Sequence, residues 1–131
     1  MISGSCLCGG IKYEINGEVA MTRICHCVNC RKFSGTANAA WGLAQVADFS
    51  QTASDAEVGE YDAGSGSLRK FCMSCGSPLW FEPKDLPAFV GIALGSIDDG
   101  NPALPEMHVW MRSSPDWEDI SDSLPQHLTH P

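Results

Sequence analysis

The chain has 131 residues, 44% of them apolar and 18% charged, with a formal charge of −8. That length is one domain able to bury roughly two-thirds of the surface its unfolded chain exposes, and that composition excludes a disordered chain. Eight Lys and Arg scattered along the sequence exclude a phosphate-binding face, so no nucleic-acid partner is expected.

The 13 glycines and 8 prolines call for many turns, and an all-β domain spanning residues 1–131 is expected. The opening "MISGSCLCGG" lacks the basic region of a secretory signal. "IKYEI" alternates, with Ile11, Tyr13 and Ile15 on one face and Lys12 and Glu14 on the other, the period of a half-buried strand ending at the Asn16–Gly17 turn. A short helix is predicted from about Asn29 to Phe33, ended by Gly35. "ANAAWGLA" and "LRKFC" read as further strands, with "GSGS" before the second as a flexible connection. "AFVGIAL" reads as a central strand and is far shorter than the ~20 residues of a membrane span, so no membrane partner and a cytoplasmic location are expected. Asp98 and Asp99 in "GSIDDGNP" read as a turn. "MHVWM" is a late strand, and the acidic tail from about Ser113 reads as irregular.

Seven cysteines are many for a reducing compartment, where metal binding explains them better than disulfides. They form three groups: Cys6 and Cys8; Cys25, Cys27 and Cys30; Cys72 and Cys75. Cysteines two apart on an extended segment face the same side, so Cys6 and Cys8 can grip one ion from a strand edge. Cys72-x-x-Cys75 followed by Gly76 is a tight knuckle, also half of a tetrahedral site. Spacing alone leaves two pairings open. A four-cysteine ribbon from Cys27, Cys30, Cys72 and Cys75 leaves three cysteines without a role. Joining Cys6 and Cys8 to Cys72 and Cys75 leaves Cys25, Cys27 and Cys30 as a three-ligand site with a free position, and uses all seven.

"GSCLCGGIKYEI", "CHCVNCRKFSGTANAAW", "FCMSCGSPLWF" and "LGSIDDGNPALPEMHVW" resemble, in that order, the blocks of the glutathione-dependent formaldehyde-activating enzyme family, whose domain is shared with centromere protein V. The resemblance runs from Gly4 to about Trp117. It implies an Mss4-like β-tent of antiparallel sheets with very little helix and two zinc ions per chain. Cys6, Cys8, Cys72 and Cys75 match the structural ligands, and Cys25, Cys27 and Cys30 the catalytic ones. The implied activity is that of a carbon-sulfur lyase acting on adducts of a small thiol, such as glutathione, with an aldehyde such as formaldehyde.

The chemistry of three thiolates agrees with that implication. Such a zinc unit carries net charge −1 and acidifies water less than a three-histidine site, but suits a thiol bound in deprotonated form. Iron is equally acceptable to the ligands. Arg31, Lys32 and Trp41 are the candidate substrate contacts: a positive pair after Cys30 can hold an anionic thiol, and Trp41, with Trp80 and Trp110, can wall a cleft. His26, between two ligands, is expected to point away from the ion into a local hydrogen bond, and His108 on an alternating strand to be hydrogen-bonded also. The alternative function is a non-catalytic zinc module that binds a protein partner. A thiol redox enzyme of the methionine sulfoxide reductase type needs a reactive cysteine outside the metal groups, and none follows Cys75.

Overall fold

The computed structural model describes residues 1–131. In chain order the elements are β1 (Ile2–Ser5), β2 (Ile11–Ile15), β3 (Ala20–Cys25), α1 (Val28–Ser34), β4 (Ala39–Gln45), β5 (Phe49–Ser54), β6 (Val58–Asp62), β7 (Ser67–Cys72), β8 (Pro78–Pro83), β9 (Phe89–Ala93), β10 (Ile97–Asp99) and β11 (Met107–Val109). Single 3-10 turns occupy Val46–Asp48, Leu94–Ser96 and Met111–Ser113. The protein is mainly β, with one helix of two turns. A four-stranded sheet has the order β10-β1-β2-β5, and a seven-stranded sheet the order β11-β3-β4-β9-β8-β7-β6.

The period of two in β2 decides the packing. Ile11, Tyr13 and Ile15 are all 0% exposed, and they face Leu79, Trp80, Val90 and Ile92 of β8 and β9 in one core. Burying three such side chains contributes about 1.5–3 kcal/mol each. The Tyr13 ring stacks on Phe49 at 5.6 Å and meets Trp80 edge-on at 6.0 Å. Its hydroxyl, which would be costly to bury alone, shares a hydrogen bond with Ser96 Oγ at 2.6 Å.

β9 is central, between β4 and β8. Its Gly91 pairs with Phe81, whose ring lies over the glycine: a Cβ there would stand 2.0 Å from Phe81 Cζ. Phe81 in turn meets Trp41 edge-on at 5.4 Å. Gly91→Ala is therefore expected to push Phe81 off its seat and lower stability by about 1–3 kcal/mol, read as a lower urea midpoint with an unchanged slope.

Three local expectations are corrected. Cys6, Leu7 and Cys8 do not sit on a strand edge. They form a turn after β1, closed by Gly9 N–H donating to Cys6 O at 3.0 Å. Asp98 and Asp99 belong to β10, with the bend falling at Gly100. β10 pairs with β1, which an isolated reading of turn-forming residues does not reveal. The sheets are also not wholly antiparallel, because β11 runs parallel to β3.

Candidate metal centres and their cavity

The turn after β1 and the knuckle between β7 and β8 bring Cys6, Cys8, Cys72 and Cys75 together, their Sγ atoms all within 4.8 Å of one another. Cys6 Sγ lies 3.5 Å from Cys8 Sγ, and Cys8 Sγ 3.8 Å from Cys72 Sγ. A tetrahedron with metal–sulfur bonds near 2.3 Å has edges of about 3.8 Å, so the four thiols can hold a metal ion with their present spacing. Two of these sulfurs are dressed for the thiolate form, whereas Cys8, despite the Gly10 N–H that lowers it, is pushed up to about 11 by the Cys6 thiol and by desolvation. Ile11 N–H donates to Cys6 Sγ at 3.3 Å. Ser77 Oγ, 3.2 Å from Cys75 Sγ, is the main cause holding that thiol down to about 5.

Cys25, Cys27 and Cys30 form a separate group, also within 4.8 Å of one another. Cys25 ends β3, Cys27 is the N-cap of α1, and Cys30 lies in its first turn with its N–H donating to Cys27 Sγ at 3.3 Å. β11 pins the corner: His26 N–H donates to Val109 O at 3.0 Å. The helix ends where Gly35 takes φ 75, the left-handed position glycine occupies without strain, and its N–H caps Arg31 O. Within the group the protons are shared unequally. Hydrogen bonds from Cys25 and Cys30, with the Cys30 N–H and the charge of Arg69, hold the Cys27 thiol far below its ordinary range. Hydrogen bonding to Cys27 and Cys30, together with burial, pushes Cys25 up.

The two groups differ in what they face. A cavity of about 1060 Å³ is lined by all three sulfurs of the second group, whereas of the first group only Cys6 reaches it. Trp41, Trp80, Phe81 and Trp110 form aromatic wall. Arg69 brings a positive charge, its Nη2 3.7 Å from Cys30 Sγ and its guanidinium 5.4 Å from the centre of the Phe33 ring. Lys70 also lines the cavity, but Glu60 holds its ammonium at 2.5 Å.

Behind the three-cysteine corner runs a chain of four titratable side chains. Asp122 Oδ2 lies 2.9 Å from His108 Nε2, His108 Nδ1 lies 2.8 Å from His26 Nε2, and His26 Nδ1 lies 2.6 Å from Glu118 Oε1. His26 is 0% and His108 3% exposed. A carboxylate only accepts, so His108 Nε2–H donates to Asp122 and His26 Nε2–H donates to His108. Two neutral imidazoles bring two N–H groups to three contacts, and the chain closes fully only with one further proton on it. The last contact is close but bent, since Nδ1 has no acceptor along its N–H direction. Desolvation, helped by the neighbouring His108, lowers the pKa of His26. Glu118 is fixed on its other side by Asn38 Nδ2 at 2.7 Å. His26 thus turns away from the cavity.

Fold and site together define a mainly β, thiol-rich domain with two cysteine groups that could each hold a metal ion, four sulfurs gathered on one another and three facing a cavity. A model of the glutathione-dependent formaldehyde-activating enzyme family matches residues 1–113, and the chain belongs to that family. An uncharacterized lyase of Schizosaccharomyces pombe is 32% identical over 78 residues, a match that covers 60% of this chain and 55% of the relative, so the chain spans about half that protein's length. A crystal structure of a Rhodobacter sphaeroides protein superimposes with a TM-score of 0.62 at 23% identity, covering 76% of this chain and 91% of that one, a likeness of fold.

The structure thus separates the seven cysteines into a four and a three and places Trp41 in the cavity wall. Arg31 and Lys32 do not line the cavity; they occupy the last turn of α1. The cation that reaches the sulfurs is Arg69, which the reading of "LRKFC" as a strand left without a role. Also missed were Glu118, Asp122 and His130, all from the irregular tail. The only signal available for the two carboxylates was the pairing of two buried histidines that need acceptors, and that pairing depends on β11 lying beside β3.

Proposed function

We propose that this protein is a zinc-dependent carbon-sulfur lyase-type enzyme that makes and breaks the bond between a small thiol, such as glutathione, and the carbonyl carbon of an aldehyde such as formaldehyde. The observation that carries the reading is the contrast between the two cysteine groups: four sulfurs close on one another, while three open on a cavity large enough for a tripeptide-sized thiol. Closed sites hold folds together and sites with a free position do chemistry. Cys6, Cys8, Cys72 and Cys75 hold the structural ion, and Cys25, Cys27 and Cys30 the catalytic one.

When bound, zinc at the second group lets a thiol bind in its deprotonated form. The protein's own residues supply the rest. Arg69 places one positive charge against the sulfurs, which opposes the upward push that Cys27 and burial give Cys30 and favours the thiolate form of an incoming sulfur. The same guanidinium, in place of Arg31 and Lys32, offers an anionic thiol its first contact. Trp41 and Phe81 supply apolar walls beside the sulfurs.

No helix is long and apolar enough to cross a membrane, and we place the enzyme in the cytoplasm, where thiols stay reduced. The test is elemental analysis of protein purified without chelator, followed by glutathione–formaldehyde exchange measured by NMR. Two zinc ions per chain and exchange faster than the uncatalysed rate are expected. Two zinc ions with no acceleration would favour the non-catalytic, partner-binding reading.

A further inference from the structure

The segment after β11 carries into the cavity a histidine that the cysteine pattern does not account for, and that lies beyond the family match, which ends at residue 113. Trp110 leaves β11 with φ 59 and ψ 37, a left-handed conformation uncommon for a bulky residue. That turn presents three successive N–H groups to the last stretch of chain. Trp110 donates to Thr129 O at 3.1 Å, Met111 to His127 O at 3.0 Å and Arg112 to Leu128 O at 3.2 Å. Further back, Glu118 and Asp122 grip the His26–His108 pair from either side. The segment is thus held at two places, and His130 follows directly.

The ring of His130 stands edge-on to the Trp110 indole, with centroids 5.5 Å apart at 82°, and Trp110 Nε1 lies 3.3 Å from His130 Nε2. An indole N–H can only donate, so Nε2 is the acceptor and the neutral imidazole carries its proton on Nδ1. No group of the protein bonds Nδ1. Trp110 and His130 line the same cavity as Cys25, Cys27 and Cys30.

We infer that the Trp110–His130 pair presents a fixed Nδ1–H donor to the carbonyl oxygen of the substrate, beside the three-cysteine group. The inference rests on the thiol–aldehyde reading above and names a catalytic residue for it. In the addition direction the sulfur lone pair forms the carbon-sulfur bond and the carbonyl π pair moves onto oxygen, where Nδ1–H hydrogen-bonds the growing negative charge. The proton that the thiol loses returns to that oxygen through water in the open cavity, giving the hydroxyl of the hemithioacetal. In reverse, the hydroxyl proton leaves to water, the carbonyl re-forms and the electron pair of the carbon-sulfur bond returns to sulfur. His130 donates a hydrogen bond throughout and keeps its proton, because a neutral imidazole that gave up Nδ1–H would become an imidazolate, a stronger base than the hemithioacetal oxygen it would protonate.

Glutathione–formaldehyde exchange on the zinc-loaded protein tests this, with His130→Leu, His130→Gln and Trp110→Phe beside wild type. His130 is exposed, so its substitution leaves the core untouched. Loss of one oxyanion donor lowers kcat by ~100-fold, and His130→Leu is expected to do so with the KM for glutathione nearly unchanged. His130→Gln, whose side-chain amide still donates, is expected within ~10-fold of wild type. Trp110→Phe frees the tautomer and should fall between them. Full kcat in His130→Leu, or a loss confined to KM, overturns the inference while leaving the thiol–aldehyde reading intact. A His130→Gln variant as slow as His130→Leu overturns the donor role in favour of proton transfer. A wild-type protein that does not accelerate exchange overturns both.

Discussion

Cys72→Ser is expected to abolish the cooperative thermal transition and to remove one zinc ion per chain. Cys72 is 0% exposed and its sulfur stands 3.8 Å from that of Cys8. Structural zinc contributes about 10–16 kcal/mol to folding, against a total stability of about 5–15 kcal/mol for a domain, so losing a ligand leaves little margin. Because the same change also disturbs a buried position, Cys8→Ser is the sharper measurement. Cys8 is exposed, its side chain fills no core space, and in a ribbon built from Cys27, Cys30, Cys72 and Cys75 it would bind nothing. Destabilisation comparable to that of Cys72→Ser, followed by circular dichroism and metal analysis, therefore supports the pairing of the first and last cysteine groups. A Cys8→Ser protein that melts like wild type with two zinc ions refutes it.

Cys27→Ser is expected to reduce glutathione–formaldehyde exchange by at least ~100-fold while the protein still melts cooperatively. Cys27 sits at the N-cap of α1, accepts the Cys30 N–H, and is the thiol most strongly favoured as thiolate in its group. Serine keeps the cap, since its oxygen accepts from the same N–H as well as or better than sulfur, so the helix start survives. What is lost is a soft ligand, and with it the means of holding a substrate sulfur. Retained exchange in this variant would place the chemistry elsewhere in the molecule. Retained exchange with only the structural zinc present would rule out the three-cysteine group altogether.

The site was legible where the chemistry is local in sequence and hidden where it depends on strand pairing. Three cysteines within six residues announce their own geometry. "IKYEI" announces a strand because its apolar positions alternate, and Gly35 announces a helix end. β3, by contrast, buries Thr22 at 0% exposure, and Met21 departs to φ 52, so its apolar period is erased. β6 buries a glycine and exposes Tyr61, which inverts the usual signal. Arg69 faces the cysteines only because β7 brings it opposite α1, where Phe33 meets both the guanidinium and the Phe71 ring. His26 and His108 are 82 residues apart, and only the parallel pairing of β11 with β3 makes them neighbours.

The two cysteine groups also differ in how far the chain must travel to close them. Cys25, Cys27 and Cys30 fall within one short loop, while Cys8 and Cys72 stand 64 positions apart. Loop-closure entropy makes the long connection about 2 kcal/mol harder to close in an unfolded chain, and a loop of ten residues closes in roughly 10–100 ns. Closing the short group thus costs little chain entropy, whereas closing the long one must bring the turn after β1 to the knuckle between β7 and β8. An ion held at the long group would therefore tie together segments far apart in the chain, whereas one held at the short group would link only its own few residues.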